Sequence, residues 1–119
     1  MGYLGAIEAG GTKFVCCVGT ESGEIVEKRT FPTLTPDETI GEVVSFFGRY
    51  ELDAIGIGSF GPVDLNKTSK TYGFITTTPK EHWRQFNFVG KMREHFPVPI
   101  GFSTDVNAAL LGEVTWGQG

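Results

Sequence analysis

Two short apolar runs, residues 3–8 and 13–19, are joined by Ala9-Gly10-Gly11. A glycine pair between two such runs is a turn signal, and the simplest structure it permits is a β-hairpin. Thr20-Glu21-Ser22-Gly23 marks a second turn. Residues 25–33 then alternate polar and apolar side chains, as an edge strand does. The chain is thereby committed to open as three antiparallel strands, and everything after residue 33 has to pack against that sheet.

From residue 35 the spacing of apolar residues changes to a helical one. Thr35 is a good N-cap, Pro36 suits the first helical position, and Glu38 completes a capping box with Thr35. Ile40, Val43, Val44, Phe47 and Tyr50 recur at helical spacing and predict one apolar face. Residues 54–59 carry no charge and suit a central strand buried on both sides. Ser59-Phe60-Gly61-Pro62 ends that strand. A loop-rich excursion is expected over 63–78, with short strands around Leu65 and Phe74-Ile75. Residues 83–88 read as aromatic and irregular. Residues 88–96 read as a short helix, and 99–102 as a last strand. Asp105 or Thr104 then caps a helix with Val106, Ala109, Leu110 and Val114 on its apolar face. The order is strand, strand, strand, helix, strand, helix, strand, helix. It predicts an α/β fold with a mixed sheet, antiparallel on one side and parallel on the other, with helices covering its faces. Ligands of such sheets sit beyond the C-terminal ends of the parallel strands. Ser59-Phe60-Gly61-Pro62 and Ser103-Thr104-Asp105 both fall there.

Composition narrows the partners. The 119 residues are one domain's worth of chain, and 10 Lys and Arg against 14 Asp and Glu leave a formal charge of −4. The cations are scattered, whereas nucleic acid requires clustered ones, so no nucleic-acid partner is expected. No apolar run is long enough to span a bilayer, and residues 1–7 lack the pattern of a signal peptide, so neither a membrane partner nor secretion is expected. Cys16 and Cys17 are adjacent on a strand and point to opposite faces, which disfavours a bridge between them. They read as strand packing, and a reducing cytoplasm is the simple reading. His82 and His95 are far apart with no Cys partner near, so no metal site is expected in this chain.

Four segments carry polar chemistry. In Glu8-Ala9-Gly10-Gly11-Thr12-Lys13 the glycines allow a backbone to approach a phosphate, whose oxygens can accept from its N–H groups. Thr12 adds a hydroxyl, Lys13 a charge, and Glu8 a carboxylate able to hold Mg²⁺ or its waters. On this segment alone a plain hairpin turn followed by a surface lysine is the favoured reading. Asp105 at a helix N-terminus is, on local grounds, more often a cap than a catalytic base. The helix dipole favours its ionised form, which is the form a base requires. Ser103, Thr104 and Asn107 place hydrogen-bonding groups beside it. Gly61-Pro62 reads as a sharp turn or as a backbone wall against a small ligand. Residues 72–79 with His82-Trp83 offer threonines and aromatics that suit carbohydrate contacts, but a small satellite core under a long loop is the favoured reading, with His82 on the surface.

The order and separation of these segments resemble the ROK family of sugar kinases (repressors, open reading frames and kinases), and within it the bacterial fructokinases. Ile7-Glu-Ala-Gly-Gly-Thr-Lys-Phe14 looks like the family's first phosphate motif. Gly56-Ile-Gly-Ser-Phe-Gly-Pro-Val-Asp64-Leu65 looks like its strand and sugar-side loop. Thr104-Asp-Val-Asn-Ala-Ala109 followed by Leu-Gly-Glu113 looks like its catalytic segment. The fructokinase subgroup is indicated by Glu8 where most of the family has Asp, by Ser-Phe-Gly-Pro, and by Tyr72-Gly-Phe-Ile-Thr-Thr-Thr-Pro79 with Trp83. The resemblance implies a ribonuclease H-like, actin-like ATPase lobe and transfer of a phosphoryl group from ATP to the 6-hydroxyl of D-fructose. It implies Asp105 as the base. It implies Glu8, Gly10, Gly11, Thr12 and Lys13 at the ATP phosphates and Mg²⁺, and Gly61, Pro62, Thr104 and Asn107 at the sugar. Family members often have Asn before the catalytic Asp; Thr104 stands there here, which bears on how one sugar hydroxyl is held. Leu110-Leu111 is bulkier than the usual alanine-rich run and reads as packing.

Residues 1–119 are accordingly expected to be an N-terminal kinase lobe. The second lobe, with the adenosine pocket, further sugar ligands and a Cys/His zinc site, is expected elsewhere in a longer parent, itself expected to be a homodimer. The fragment is expected to be inactive alone, and its lobe-facing apolar surface to make it self-associate. A glucokinase or mannokinase and a non-catalytic sugar-binding or interaction module are the alternative readings. The repressor branch, which carries a DNA-binding segment ahead of this motif, is disfavoured.

Overall fold

A computed structural model describes residues 2–106 and 109 of the chain. Its strands are β1 (Tyr3–Ala9), β2 (Lys13–Gly19), β3 (Ile25–Pro32), β4 (Leu52–Ser59), β5 (Phe74–Ile75), β6 (Phe86–Asn87) and β7 (Ile100–Ser103), and its helices are α1 (Pro36–Phe47) and α2 (Phe88–His95). Among the described residues five strands form the main sheet in the order β3-β2-β1-β4-β7, and β5 pairs with β6 as a separate ribbon. The β1–β2 and β2–β3 pairings are antiparallel, while β1–β4 and β4–β7 are parallel. The expected mixed sheet is therefore present, with its parallel half at β1, β4 and β7.

Strand alternation sorts the side chains. Ile7, Ala9, Phe14, Cys16, Ile55, Ile57, Ile100 and Phe102 belong to one buried cluster with Ile40, Val43, Phe46 and Phe47 of α1 and Phe88, Val89 and Met92 of α2. Both helices thus cover the same face of the sheet. The opposite face carries small residues in β4, where Ala54, Gly56 and Gly58 are buried as well.

Thr35 caps α1 as its sequence predicts. Its hydroxyl accepts from the Glu38 N–H at 3.4 Å and donates to the Glu38 carboxylate at 2.8 Å, a cap contributing about 1 kcal/mol. Tyr50 departs from the predicted helical face. Gly48 ends the helix, and beyond it Tyr50 meets Tyr3 edge-on at 5.3 Å and donates to the Glu27 carboxylate. Leu65 forms no strand and is exposed; Val63 instead bridges to Ile75.

Trp83 also departs from expectation. It closes a single 3₁₀ turn, Glu81–Trp83, and is 1% exposed within the main core rather than in a satellite. It packs on Phe14, Phe60, Phe86 and Phe88 at centroid separations of 5.1–6.4 Å. Its indole N–H donates to the Leu34 carbonyl at 2.8 Å, so the ring's polar edge is satisfied.

Asn107 and Leu110 to Val114, together with the helix predicted through them, lie outside the described residues. Of the described residues there, the Ala109 N–H donates to the Asp105 carbonyl at 3.0 Å, the i to i+4 bond of a first helical turn.

Candidate active site

The parallel register brings three of the four polar segments to one edge. β1, β4 and β7 run the same way, so Gly10–Lys13, Ser59–Pro62 and Ser103–Asp105 all leave from their C-terminal ends. Glu8 is the register partner of Gly58, and Gly58 that of Ser103. One row across the sheet therefore reads Glu8, Gly58, Ser103. Neighbouring strands are about 4.8 Å apart, so the row from Glu8 to Ser103 is about 10 Å wide, enough to seat a hydroxyl and a phosphoryl group side by side.

Gly58 sets the height of the Asp105 corner above that row. A Cβ on Gly58 would lie 2.3 Å from the Val106 nitrogen, 2.8 Å from its Cα and 2.9 Å from the Asp105 carbonyl carbon. The corner therefore rests directly on the Gly58 backbone. Only glycine leaves space for that approach in a strand interior.

The glycine turn is tied down from the other side. Gly10 N–H donates to the Lys13 carbonyl at 2.9 Å and closes the turn. The Thr33 hydroxyl donates to the Gly10 carbonyl at 2.7 Å, and the Thr33 N–H to the Thr12 carbonyl at 2.9 Å. These bonds occupy turn carbonyls. Thr12 and Lys13 are exposed at the tip.

The loop after Pro62 has its own organiser in Asp64. Its carboxylate accepts from the Ser69 hydroxyl at 2.6 Å, the Thr71 hydroxyl at 2.5 Å and the Asn66 N–H at 3.0 Å. Those bonds, Ser69's first, hold the carboxyl below the usual range. Thr76 N–H donates to the Pro62 carbonyl at 2.8 Å, which fixes the Gly61-Pro62 wall against the β5–β6 ribbon.

Pro62, Thr104 and Asp105 are exposed, and Gly61 is half-buried, so the arrangement is an open shelf. The fourth polar segment divides. Thr78 and Trp83 are buried and structural, while Lys80 is exposed and lies near Gly11. Burial pushes the Cys16 thiol up to about 12, so it stays protonated and unreactive at neutral pH. Both cysteines are free. Among the described residues no three His, Cys, Asp or Glu side chains gather as a metal site, and no helix is long and apolar enough to cross a membrane.

Neither Gly58 nor Thr33 is given a role at the site by the sequence reading. Gly56-Ile57-Gly58 carried a readable signal, since glycines alternating through an uncharged strand mark a close backbone neighbour. Thr33 gave none, because threonine at the end of an edge strand is ordinary.

A glycine hairpin at the end of β1, a backbone wall after β4 and a carboxylate after β7 define a lobe of the actin-like ATPase fold. The ROK family model matches residues 4–119, and the chain belongs to the ROK family. It is 53% identical over 111 residues to a fructokinase of Streptococcus mutans serotype c and 52% identical over 112 residues to a fructokinase of Lactococcus lactis subsp. cremoris. Those alignments cover 92% and 94% of this chain but only 38% and 39% of the relatives. A ROK family glucokinase of Streptomyces griseus, solved with glucose and AMPPNP, superposes with a TM-score of 0.70 at 26% identity, over 98% of this chain and 37% of that one. The chain thus spans less than two-fifths of each of these three proteins.

Proposed function

We propose that residues 1–119 are the N-terminal lobe of an ATP-dependent fructokinase that converts D-fructose to D-fructose 6-phosphate in the cytoplasm. The row Glu8, Gly58, Ser103, with Asp105 seated over Gly58, carries this reading. It supports the reading because Asp105, the candidate base, and the glycine turn, the candidate phosphate site, both lie at the C-terminal ends of the parallel strands. The two fructokinases above support the choice of sugar, and the neighbour holding glucose and AMPPNP supports the pairing of a hexose with a nucleotide.

In this mechanism Asp105 accepts the proton of the sugar 6-hydroxyl as that oxygen attacks the γ-phosphorus. The P–O bond to the leaving ADP breaks as the new one forms. Gly10 and Gly11 admit the phosphates to the turn's backbone, and Thr12 and Lys13 supply a hydroxyl and a positive charge. Gly61, Pro62 and Thr104 bound the sugar, with Asn107 assigned to the same role. Catalysis of this kind is mostly positioning and charge stabilisation. Mg²⁺ usually takes one or two carboxylates plus phosphate oxygens and water. The lone exposed Glu8 at the end of β1 fits that donor set and would hold the ion or its waters, where it neutralises phosphate charge. Zinc is assigned to the second lobe, and the intact protein is proposed to be a homodimer. The fragment alone lacks half of the site and is proposed to be inactive.

The test is a substrate panel on the intact kinase containing this chain, with fructose, glucose and mannose compared by kcat/KM for ATP-dependent phosphorylation. The expected result is a preference for fructose of at least about tenfold, the discrimination that roughly 1.4 kcal/mol supplies. A preference for glucose or mannose would move the protein to another branch of the family, and absence of turnover with all three would remove the kinase assignment.

A further inference from the structure

The glycine turn has one cation in its own sequence, Lys13. The fold brings up a second. A Cβ on Gly11 would lie 3.7 Å from Cε of Lys80, so the end of the Lys80 side chain lies over the turn. The two lysines approach from different directions. Lys13 begins β2 on the face shared with Val15 and Cys17, by strand alternation. Lys80 arrives from the core side, since Trp83, three residues on, packs against Phe14 at 5.6 Å.

The backbone that carries Lys80 is fixed. Its N–H donates to the Thr78 hydroxyl at 3.2 Å, and its carbonyl accepts from the Trp83 N–H at 2.9 Å. Thr78 is 1% exposed, and its carbonyl accepts from Arg84 Nε at 2.9 Å. The Trp83 indole bonds to the Leu34 carbonyl, and Thr33, one residue earlier, holds the carbonyls of Gly10 and Thr12. The Lys80 segment and the glycine turn are thus anchored to adjacent residues, the first to Leu34 and the second to Thr33. Among the described residues no ion pair is made by Lys80. The nearby carboxylate of Glu38, which borders the same cleft, accepts from the Thr35 hydroxyl.

We propose that Lys80 is a second phosphate-binding cation, which reaches the terminal phosphates of the nucleotide from the side of the turn opposite Lys13. The assignment rests on the kinase reading of the turn. An ammonium is a compact charge with three donors, suited to phosphate oxygens, and glycine at position 11 leaves the space it occupies. Lys80 then shares the charge that builds on the γ-phosphate during transfer.

The test is isothermal titration of the intact kinase with Mg-AMPPNP and with AMP, for the wild type, Lys80→Met and Lys80→Arg. Met keeps most of the aliphatic length and removes the charge. The expected result is about tenfold weaker AMPPNP binding for Lys80→Met, near-wild-type binding for Lys80→Arg, and unchanged AMP affinity and melting temperature for both. Equal AMPPNP affinity in wild type and Lys80→Met would overturn the proposal, as would a parallel loss for AMP, which marks a structural role. Charge-dependent AMPPNP binding by a wild type that phosphorylates no hexose would sustain Lys80 and sink the fructokinase reading. Turnover on fructose that Lys80→Met leaves unaltered, with unaltered binding, would do the reverse. Absence of AMPPNP binding by the wild type would overturn both.

Discussion

In the proposed intact kinase, Asp105→Asn is expected to lower kcat by about 10²–10⁴-fold, the usual worth of a positioned general base. The KM for sugar should change little, because Asn keeps the shape and one accepting oxygen. Stability should also change little. The Ala109 N–H bonds to the Asp105 backbone carbonyl at 3.0 Å, a bond the substitution leaves in place, and Asn caps helices about as well as Asp. The variant therefore separates the two roles open to this side chain. Turnover retained within a few-fold would leave Asp105 as a helix cap alone. Loss of turnover with an unchanged melting temperature would mark it as the base. Steady-state kinetics beside a thermal melt reads both.

Gly58→Ala is expected to have the next largest effect, at a position that need touch no ligand. The added methyl would lie 2.3 Å from the Val106 nitrogen and 2.9 Å from the Asp105 carbonyl carbon, distances that backbone atoms cannot hold. The corner must lift by about 1 Å, and a displacement of that size at a reacting group can cost about 10²-fold in rate. Overpacking of this kind costs about 1–3 kcal/mol of stability as well. Gly41→Ala is the matched control. A Cβ there meets nothing within 4 Å in the middle of α1, so the same chemical change should leave kcat untouched and raise stability by up to about 1 kcal/mol. Measured at a temperature where both variants are folded, kcat should fall for Gly58→Ala alone. Normal turnover in Gly58→Ala would show that the corner's height is not what positions the carboxylate.

These two residues also show what the sequence could and could not convey. Local signals carried the elements well. The glycine hairpin, the Thr35 cap with Pro36 and Glu38, and the uncharged β4 each arise from short-range chemistry. The order β3-β2-β1-β4-β7 is then the one that antiparallel hairpins and parallel crossovers build. Asp105 was legible as a carboxylate at a strand-to-helix corner, but not as the residue standing over Gly58, because that contact joins positions 47 residues apart. Trp83 was misplaced for the same reason. Its neighbours Phe14, Phe60 and Leu34 are remote in sequence, and nothing near position 83 marks a core residue. Tyr50 kept helical spacing with Phe47 yet lies past the helix end, where the hydroxyl finds Glu27. Periodicity alone does not see a helix stop at Gly48. The grip of Thr33 on the glycine turn was invisible too, since it depends on β3 lying alongside β2 and ending level with the turn.

In the proposed function Asp105 and the glycine turn face one another across a single sugar-to-ATP transfer site. The measurement that reaches it most directly is a crystal structure of the intact kinase with fructose and AMPPNP bound. A carboxylate oxygen of Asp105 is expected within about 3.2 Å of the fructose 6-hydroxyl oxygen, with the γ-phosphate against the backbone of Gly10 and Gly11. Fructose bound away from the β7 edge, or Asp105 turned from the 6-hydroxyl with the nucleotide distant from Gly10–Lys13, would contradict it.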